Sequence, residues 1–226
     1  MGAASTVGQI PPVRILYSFL ASSDLKVLDL HRIELPAHPE PIPLPFSLRE
    51  IKIYAGEDET ERNGSHAMLC QPSVTALELD GEGESHSNLL HDFFPIAHQL
   101  VTLSITLPLE PESFAPKFLE ACVSLRHLTI DSLIPSWMKS IPVPLVSLEF
   151  IEFNDFDASC LVDLLEEGAV GVSKLQRLAI QEEDKSKTRA SEGIRSWKKM
   201  VKMCRERGIK MVDGAYAESL VRVHPI

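Results

Sequence analysis

One apolar spacing recurs seven times along this chain of 226 residues: two apolar residues three positions apart, then a third two positions later. Successive copies begin 23, 26, 26, 25, 20 and 30 residues apart, a mean of 25. A chain that repeats one short pattern at such an interval folds by stacking similar units. The seven copies are Leu25-Leu28-Leu30, Leu48-Ile51-Ile53, Val74-Leu77-Leu79, Leu100-Leu103-Ile105, Leu125-Leu128-Ile130, Leu145-Leu148-Phe150 and Leu175-Leu178-Ile180.

Each copy predicts a short strand whose apolar side chains point inward and whose intervening side chains point outward. A period of about 20 to 29 residues with this spacing is typical of leucine-rich repeats. We therefore predict an α/β fold: an irregular leucine-rich-repeat solenoid in the form of a horseshoe arc. It has a parallel concave sheet and a convex side that is partly helical and partly extended.

The segments between the strands differ in kind. Apolar residues at helical spacing predict helices over 87–99, 112–121 and 159–167. Five prolines within 35–46 predict an extended return, and the polar segment 56–65 predicts a loop. Further predictions are a proline-limited return over 141–144, a kink at Pro95, a helix C-terminus at Gly168 and a back helix of an incomplete first repeat over 11–22.

Residues 191–207 depart from the repeat pattern. Their apolar residues follow helical spacing, Gly208 favours a stop, and Ile209 to Val212 predict one more strand. Because a terminal repeat must cover the open end of a solenoid, this unit is predicted to be a cap. The predicted domains are a flexible N-terminus (1–10), a solenoid of about seven repeats (11–184), the cap helix and strand (185–213) and a tail (214–226).

The charge is unevenly distributed. Residues 1–184 hold eleven basic and 28 acidic residues, a net charge of −17, whereas residues 185–210 hold ten Lys or Arg and two Glu, a net charge of +8. The acidic body argues against nucleic-acid binding. The basic helix has two interpretations: it binds an acidic partner such as calmodulin or an anionic membrane, or it is a cap whose cations face water or the acidic body. These cations are Arg195, Lys198, Lys199, Lys202, Arg205 and Arg207.

We find no pattern that indicates catalysis, a cofactor or a metal. Cys70, Cys122, Cys160 and Cys204 form no C-x-x-C pair, which predicts reduced core thiols in a cytoplasmic or nuclear protein. The histidines at 86, 91 and 98 do not share a helix face, and segment 168–174 lacks the spacing of a phosphate loop. No secretory signal and no apolar run of about 18 residues is present, so we expect no membrane span.

Segments 145–150, 164–178 and 197–210 resemble the C-terminal leucine-rich repeats of fungal F-box proteins, and the likeness extends over about 11–212. The resemblance implies that the repeat face holds a target protein, while a separate F-box joins the adaptor of a cullin-type ubiquitin ligase. Two features depart from the family: the turns lack its asparagine or cysteine ladder, and no complete F-box is present. We therefore expect adaptor binding only if an F-box is supplied elsewhere; the alternative is a scaffold without ligase function.

The outward positions of the strands are the predicted binding surface. Six strand steps make this face about 29 Å long, a size that suits a protein or peptide partner. Its carboxylates favour a basic partner, although solubility alone also explains them. We expect a monomer. The candidate contact residues are Asp29, His31, Glu50, Lys52, Tyr54, Glu78, Asp80, Thr102, Ser104, His127, Thr129, Asp131, Glu149, Arg177 and Gln181.

Overall fold

The computed structural model describes residues 25–31, 47–55, 69–81, 87–106, 114–182 and 191–213. They form a single open sheet of eight parallel strands whose spatial order follows the chain. The α/β fold with a parallel sheet is therefore confirmed. The strands are β1 (Val27–His31), β2 (Glu50–Ala55), β3 (Ala76–Gly81), β4 (Thr102–Thr106), β5 (His127–Ile130), β6 (Ser147–Phe153), β7 (Arg177–Glu182) and β8 (Lys210–Asp213).

The strands pair in the register that the apolar pattern predicts. The middle apolar residue of one copy pairs with that of the next, so that Leu103 lies beside Leu128 and Leu128 beside Leu148. Backbone hydrogen bonds at the strand entrances repeat in the same way. The carbonyl of Val101, for example, accepts from the N–H groups of Arg126 and His127. Because a slip by one residue would turn every apolar side chain outward, this register is strongly specified.

Five α-helices and two 3-10 segments connect the described strands. Helix α4 packs closely against α5, and Phe153 stacks edge-on against Trp197 of α5 with ring centroids 5.2 Å apart. The helices are α1 (Ser87–Phe93), α2 (Ala115–Ala121), α3 (Pro135–Ser140), α4 (Asp155–Glu167) and α5 (Ser191–Glu206), and the 3-10 segments are Phe94–Gln99 and Val170–Val172.

One apolar core lies between the sheet and the helices. The inward residues of the strands, Leu77, Leu103, Leu128 and Leu148 among them, are at most 2% exposed. Phe118 of α2 and other apolar helix residues belong to the same cluster. One face of the sheet is thus buried in the core, and only its other face presents side chains to a partner.

One expectation about the connections was wrong. The third predicted helix begins at Asp155 rather than at residue 159, because the Asn154 side chain accepts from the N–H groups of Phe156 and Asp157, and Asp157 accepts from the Asn154 N–H. This reciprocal capping box stabilises an earlier first turn. The shortest repeat also contains a helix that was not predicted, α3, which begins at Pro135, where proline is tolerated in the first turn. It ends before segment 141–144, which is non-helical as expected.

The other helix boundaries lie close to their predictions. The helix over 87–99 divides at Phe93, because a 3-10 segment with Pro95 in its first turn follows α1. Helices α4 and α5 are followed by Gly168 and Gly208, which adopt positive φ values of 69° and 70°. The predictions for 1–10, 11–22, 35–46, 56–65 and the tail over 214–226 lie outside the described residues.

Candidate functional site

The open face is defined here as the sheet face opposite the helices. Its side chains form rows that run across the strands. The first row comprises Val27, Glu50, Ala76, Thr102, His127, Ser147, Arg177 and Lys210; the second row comprises Asp29, Lys52, Glu78, Ser104, Thr129, Glu149, Ala179 and Val212. A third row of Tyr54, Asp80 and Thr106 lies at the carboxyl ends of β2 to β4.

The structure places each predicted contact residue whose side chain it describes on this face or at the strand ends that border it. Glu50, Thr102, His127 and Arg177 belong to the first row, and six others belong to the second. Asp131 directly follows β5, and Gln181 lies near the end of β7. The side chain of His31 is outside the described part of the structure. Sequence reasoning left Ser147, Glu152 and Lys210 out of the candidate set.

The first half of the face holds an internal ion pair. Lys52 Nζ lies 2.5 Å from Glu78 Oε2 and 3.4 Å from Glu50 Oε1. Burial alone would lower the pKa of Lys52, but the two carboxylates raise it overall. Glu50 and Glu78 are therefore partly neutralised by a lysine of the same face, and they offer less negative charge to a partner than their sequence suggests.

The strongest acidic feature lies at the carboxyl ends of the strands. The pKa of Asp131 is raised to about 6, first by burial and then by the negative charges of Glu152 and Asp80. Within the described segments, no Lys or Arg side chain forms an ion pair with these three carboxylates. We call Asp80, Asp131 and Glu152 the acidic edge. A cation supplied from outside would relieve their mutual repulsion.

The opposite edge of the sheet is basic from β5 onward. His127 Nδ1 and Ser147 Oγ lie 2.8 Å apart, within hydrogen-bonding distance. The pKa of His127 is lowered by burial and then by the positive charges of Arg177 and Arg126, which leaves the imidazole neutral at pH 7. Lys210 extends the row on β8. We call His127, Ser147, Arg177 and Lys210 the donor row.

Arg177 is the unusual member of the donor row. Its Nε and Nη2 atoms are buried, and neither has a hydrogen-bond partner. The nearby Glu149 carboxylate feels the positive charge of Arg177, but its side-chain hydrogen bond goes to Gln181. Burial raises the pKa of Glu149 overall, against these two influences. The guanidinium thus has a charged neighbour that does not occupy its two donors.

A second surface lies on helix α5. A cavity of about 350 Å³ is lined by two half-buried apolar side chains and three cationic ones: Trp197, Val201, Lys198, Lys202 and Arg205. Elsewhere on the helix, Met200 and Cys204 are buried, and Lys199 forms an ion pair with Glu166 at 2.6 Å. Part of the positive charge of α5 is therefore used within the protein, while three cations border the cavity.

The cysteine thiols are buried or half-buried. Burial raises the pKa of Cys122 to about 12 and that of Cys204 to about 11, so both thiols stay protonated at neutral pH. Burial also raises the pKa of half-buried Cys70, again to about 12. Among the described residues, no group of three or more His, Cys, Asp or Glu side chains could hold a metal ion.

Comparisons with protein-family models, with curated proteins and with solved structures find no match to this chain. In the part of the chain that the structure describes, no helix is both long and apolar enough to cross a membrane.

Proposed function

We propose that this protein is a leucine-rich-repeat binding module that holds a protein or peptide partner on its open face. The observation that carries the proposal is the set of mostly polar rows on the face that folding leaves uncovered. Seven strand steps make this face about 34 Å long, which fits an extended peptide or a protein loop better than a small metabolite. The period of 25 residues and the parallel pairing support the repeat assignment.

The acidic edge is the proposed docking point for a basic residue of the partner. Asp80, Asp131 and Glu152 concentrate negative charge without an ion pair among the described residues, whereas Glu50 and Glu78 are engaged by Lys52. An approaching Lys or Arg would exchange repulsion between carboxylates for attraction. The proposal of a basic partner thus rests on the acidic edge rather than on the whole face.

A matched pair of double variants tests this docking point. Basic peptides are selected from a displayed library against the wild-type protein, and their affinities are measured by calorimetry. Asp80→Asn/Asp131→Asn should weaken binding about tenfold or more. Glu120→Gln/Asp163→Asn removes the same charge from exposed positions on α2 and α4 and should leave the affinity unchanged. Equal losses of affinity in both variants would show that the effect comes from net charge alone and would refute the docking point.

The likeness to F-box proteins supports a narrower role, as the substrate-recognition region of a ubiquitin-ligase receptor. In that role the adaptor is bound only if an F-box is supplied elsewhere, and the alternative is a scaffold without ligase function. Co-purification of this chain with the ligase adaptor distinguishes the two. Adaptor binding by the chain alone would contradict the scaffold alternative.

The cavity on α5 favours a second candidate function, the binding of an acidic amphipathic segment. Lys198, Lys202 and Arg205 line a cavity together with Trp197 and Val201, a combination that suits apolar anchors flanked by carboxylates. Lys198→Glu/Arg205→Glu should abolish such binding. Lys199→Glu is the control, because Lys199 pairs with Glu166 and does not line the cavity. Equal effects of the two changes would contradict this function.

A further inference from the structure

Helix α5 contacts α4 through one of its two flanks. Lys199 of α5 forms an ion pair with Glu166 at 2.6 Å. The Arg207 guanidinium, just beyond the end of α5, donates to the backbone carbonyl of Leu165. The residues that line the cavity on α5 are rotated from Lys199 and Arg207 by about half a turn of the helix. The cavity therefore lies on the flank that faces away from α4, which we call the outer flank.

The outer flank leaves apolar surface at the end of the core. Trp197 and Val201 pack against the core from α5, and both are only half-buried. Met211 packs against it from β8 and is also half-buried. Strand β8 is the last strand of the described sheet. A segment that covered these side chains would remove their apolar surface from water, as a terminal unit of a solenoid must.

The stacking order indicates which segment reaches the outer flank. The helices pack in chain order, each of α1 to α4 against the next. Each of the five helices follows one strand, β3 to β7 in turn. The segment that follows β8 is therefore the next one to be added to the stack, and its place is the outer flank of α5.

The sequence of that segment, residues 214–226, matches an apolar cavity. Tyr216, Leu220 and Val223 are four and three residues apart, a spacing that predicts one apolar side of a helix. Tyr216 and Val223 would then lie about 10 Å apart along the helix. The cavity has a similar length, because its end residues Trp197 and Arg205 are eight helical positions apart, about 12 Å.

The connection from β8 is long enough. Asp213 ends β8, and three extended residues from there to Tyr216 cover about 10 Å, which is the distance between packed helices. Helix α5 and segment 214–226 both follow the carboxyl end of a strand, so both start at the same edge of the sheet. This direction places Tyr216 near Trp197.

We propose that residues 214–226 of this chain occupy the cavity on α5 and add one more layer to the stack of helices. The inference goes beyond the binding of a partner on the open face and does not depend on it. It gives the cavity on α5 an occupant within the chain. An external acidic segment, the second candidate function, binds there only by displacing residues 214–226.

Nuclear magnetic resonance of the full chain provides two signals for a test, because the sequence contains two tryptophans. The indole N–H resonance of Trp197 reports on the cavity that this residue lines. The resonance of Trp137, which is 4% exposed in the core, reports on the fold. A variant that releases the segment should shift the first resonance and leave the second in place.

Two double variants differ by one position in the chain. Tyr216→Ser/Leu220→Ser removes apolar groups from the predicted contact side and should shift the Trp197 resonance. Ala217→Ser/Val221→Ser is the matched control, because these positions are turned away by about 100° and should shift neither resonance. An unmoved Trp197 resonance in the first variant overturns the inference. Equal shifts in both variants overturn the assignment to this side of the segment.

A synthetic peptide with the sequence of residues 214–226 tests the contact in trans. Added to Tyr216→Ser/Leu220→Ser, it should return the Trp197 resonance to its wild-type position, with half-saturation at about a millimolar concentration. A peptide that leaves the resonance unmoved counts against the docking. If the resonance of the wild-type chain moves on dilution, the segment of a second copy fills the cavity, and the docking within one chain is refuted.

An external acidic amphipathic peptide separates this inference from the second candidate function. It should bind Tyr216→Ser/Leu220→Ser about tenfold more tightly than the wild-type chain, because it no longer has to displace the segment. Equal affinities overturn the inference while the candidate function stands. If the peptide binds neither protein, the candidate function fails, whereas the resonance of Trp197 still tests the docking of residues 214–226.

Discussion

Asp157 links two parts of the fold that are distant in sequence. Replacing it should show how much this link contributes to the free energy of unfolding. The carboxylate is 1% exposed. Its Oδ1 accepts from the backbone N–H of Leu133 at 2.8 Å, and its Oδ2 accepts from the Asn154 N–H at 2.9 Å. One side chain thus holds the start of α4 against the loop that precedes α3. Burial raises the pKa of Asp157 overall, while these two hydrogen bonds act to lower it.

Asp157→Ala should destabilise the protein by about 3 kcal/mol. A hydrogen bond to a charged acceptor is worth about 1.5 to 3 kcal/mol, and the loss leaves the buried N–H of Leu133 unsatisfied. Loss of the capping box adds about 1 kcal/mol, and release of the buried carboxylate from its desolvation offsets part of the sum. Asp157→Asn keeps the acceptor for Leu133 but turns an amide toward the Asn154 N–H, so its effect should be intermediate.

Urea denaturation followed by circular dichroism measures these differences, provided that the slope of the transition is the same in each variant. Asp163→Ala is the matched control, since Asp163 is exposed on the same helix and should change stability by less than about 0.5 kcal/mol. If Asp157→Ala destabilised the protein no more than Asp163→Ala, the argument that Asp157 joins the two segments would be refuted.

Three further predictions concern register, charge and thiols. Leu128→Ala should cost about 3 kcal/mol in urea denaturation, and Thr129→Ala on the open face less than about 1 kcal/mol; equal costs would contradict the register. Because the pKa of Asp131 is raised to about 6 from 3.8, its contribution to stability is present below pH 3.8 and lost as pH rises through 6. Asp131→Asn should therefore raise Tm at pH 7 more than at pH 4, and equal shifts would refute the raised pKa. Iodoacetamide at pH 8 should leave Cys122 unmodified until unfolding, and modification of the native protein would show that this thiol is accessible.

The strands and their buried faces could be predicted from the chain because the alternation of apolar and polar side chains is a local property. Apolar and polar side chains take opposite faces of a strand whatever its neighbours are, so the spacing of Leu103 and Ile105 indicates both the strand and its buried face. The ends of α4 and α5 could also be predicted from the local sequence, because Gly168 and Gly208 tolerate a positive φ. Helix α3 was missed, since its six residues are too few for a helical period to emerge.

The ion pairing and burial of the charged side chains on the open face depended on the tertiary structure. The alternation predicted that Lys52, Glu78, Arg177 and Asp131 lie on that face. It did not predict which of them would contact each other. Lys52 and Glu78 lie 26 residues apart in the chain, and parallel pairing brings them into an ion pair. The Nε and Nη2 atoms of Arg177 are buried without a hydrogen-bond partner. Side-chain direction follows from the local backbone, whereas desolvation and ion pairing follow from the neighbours that stacking provides.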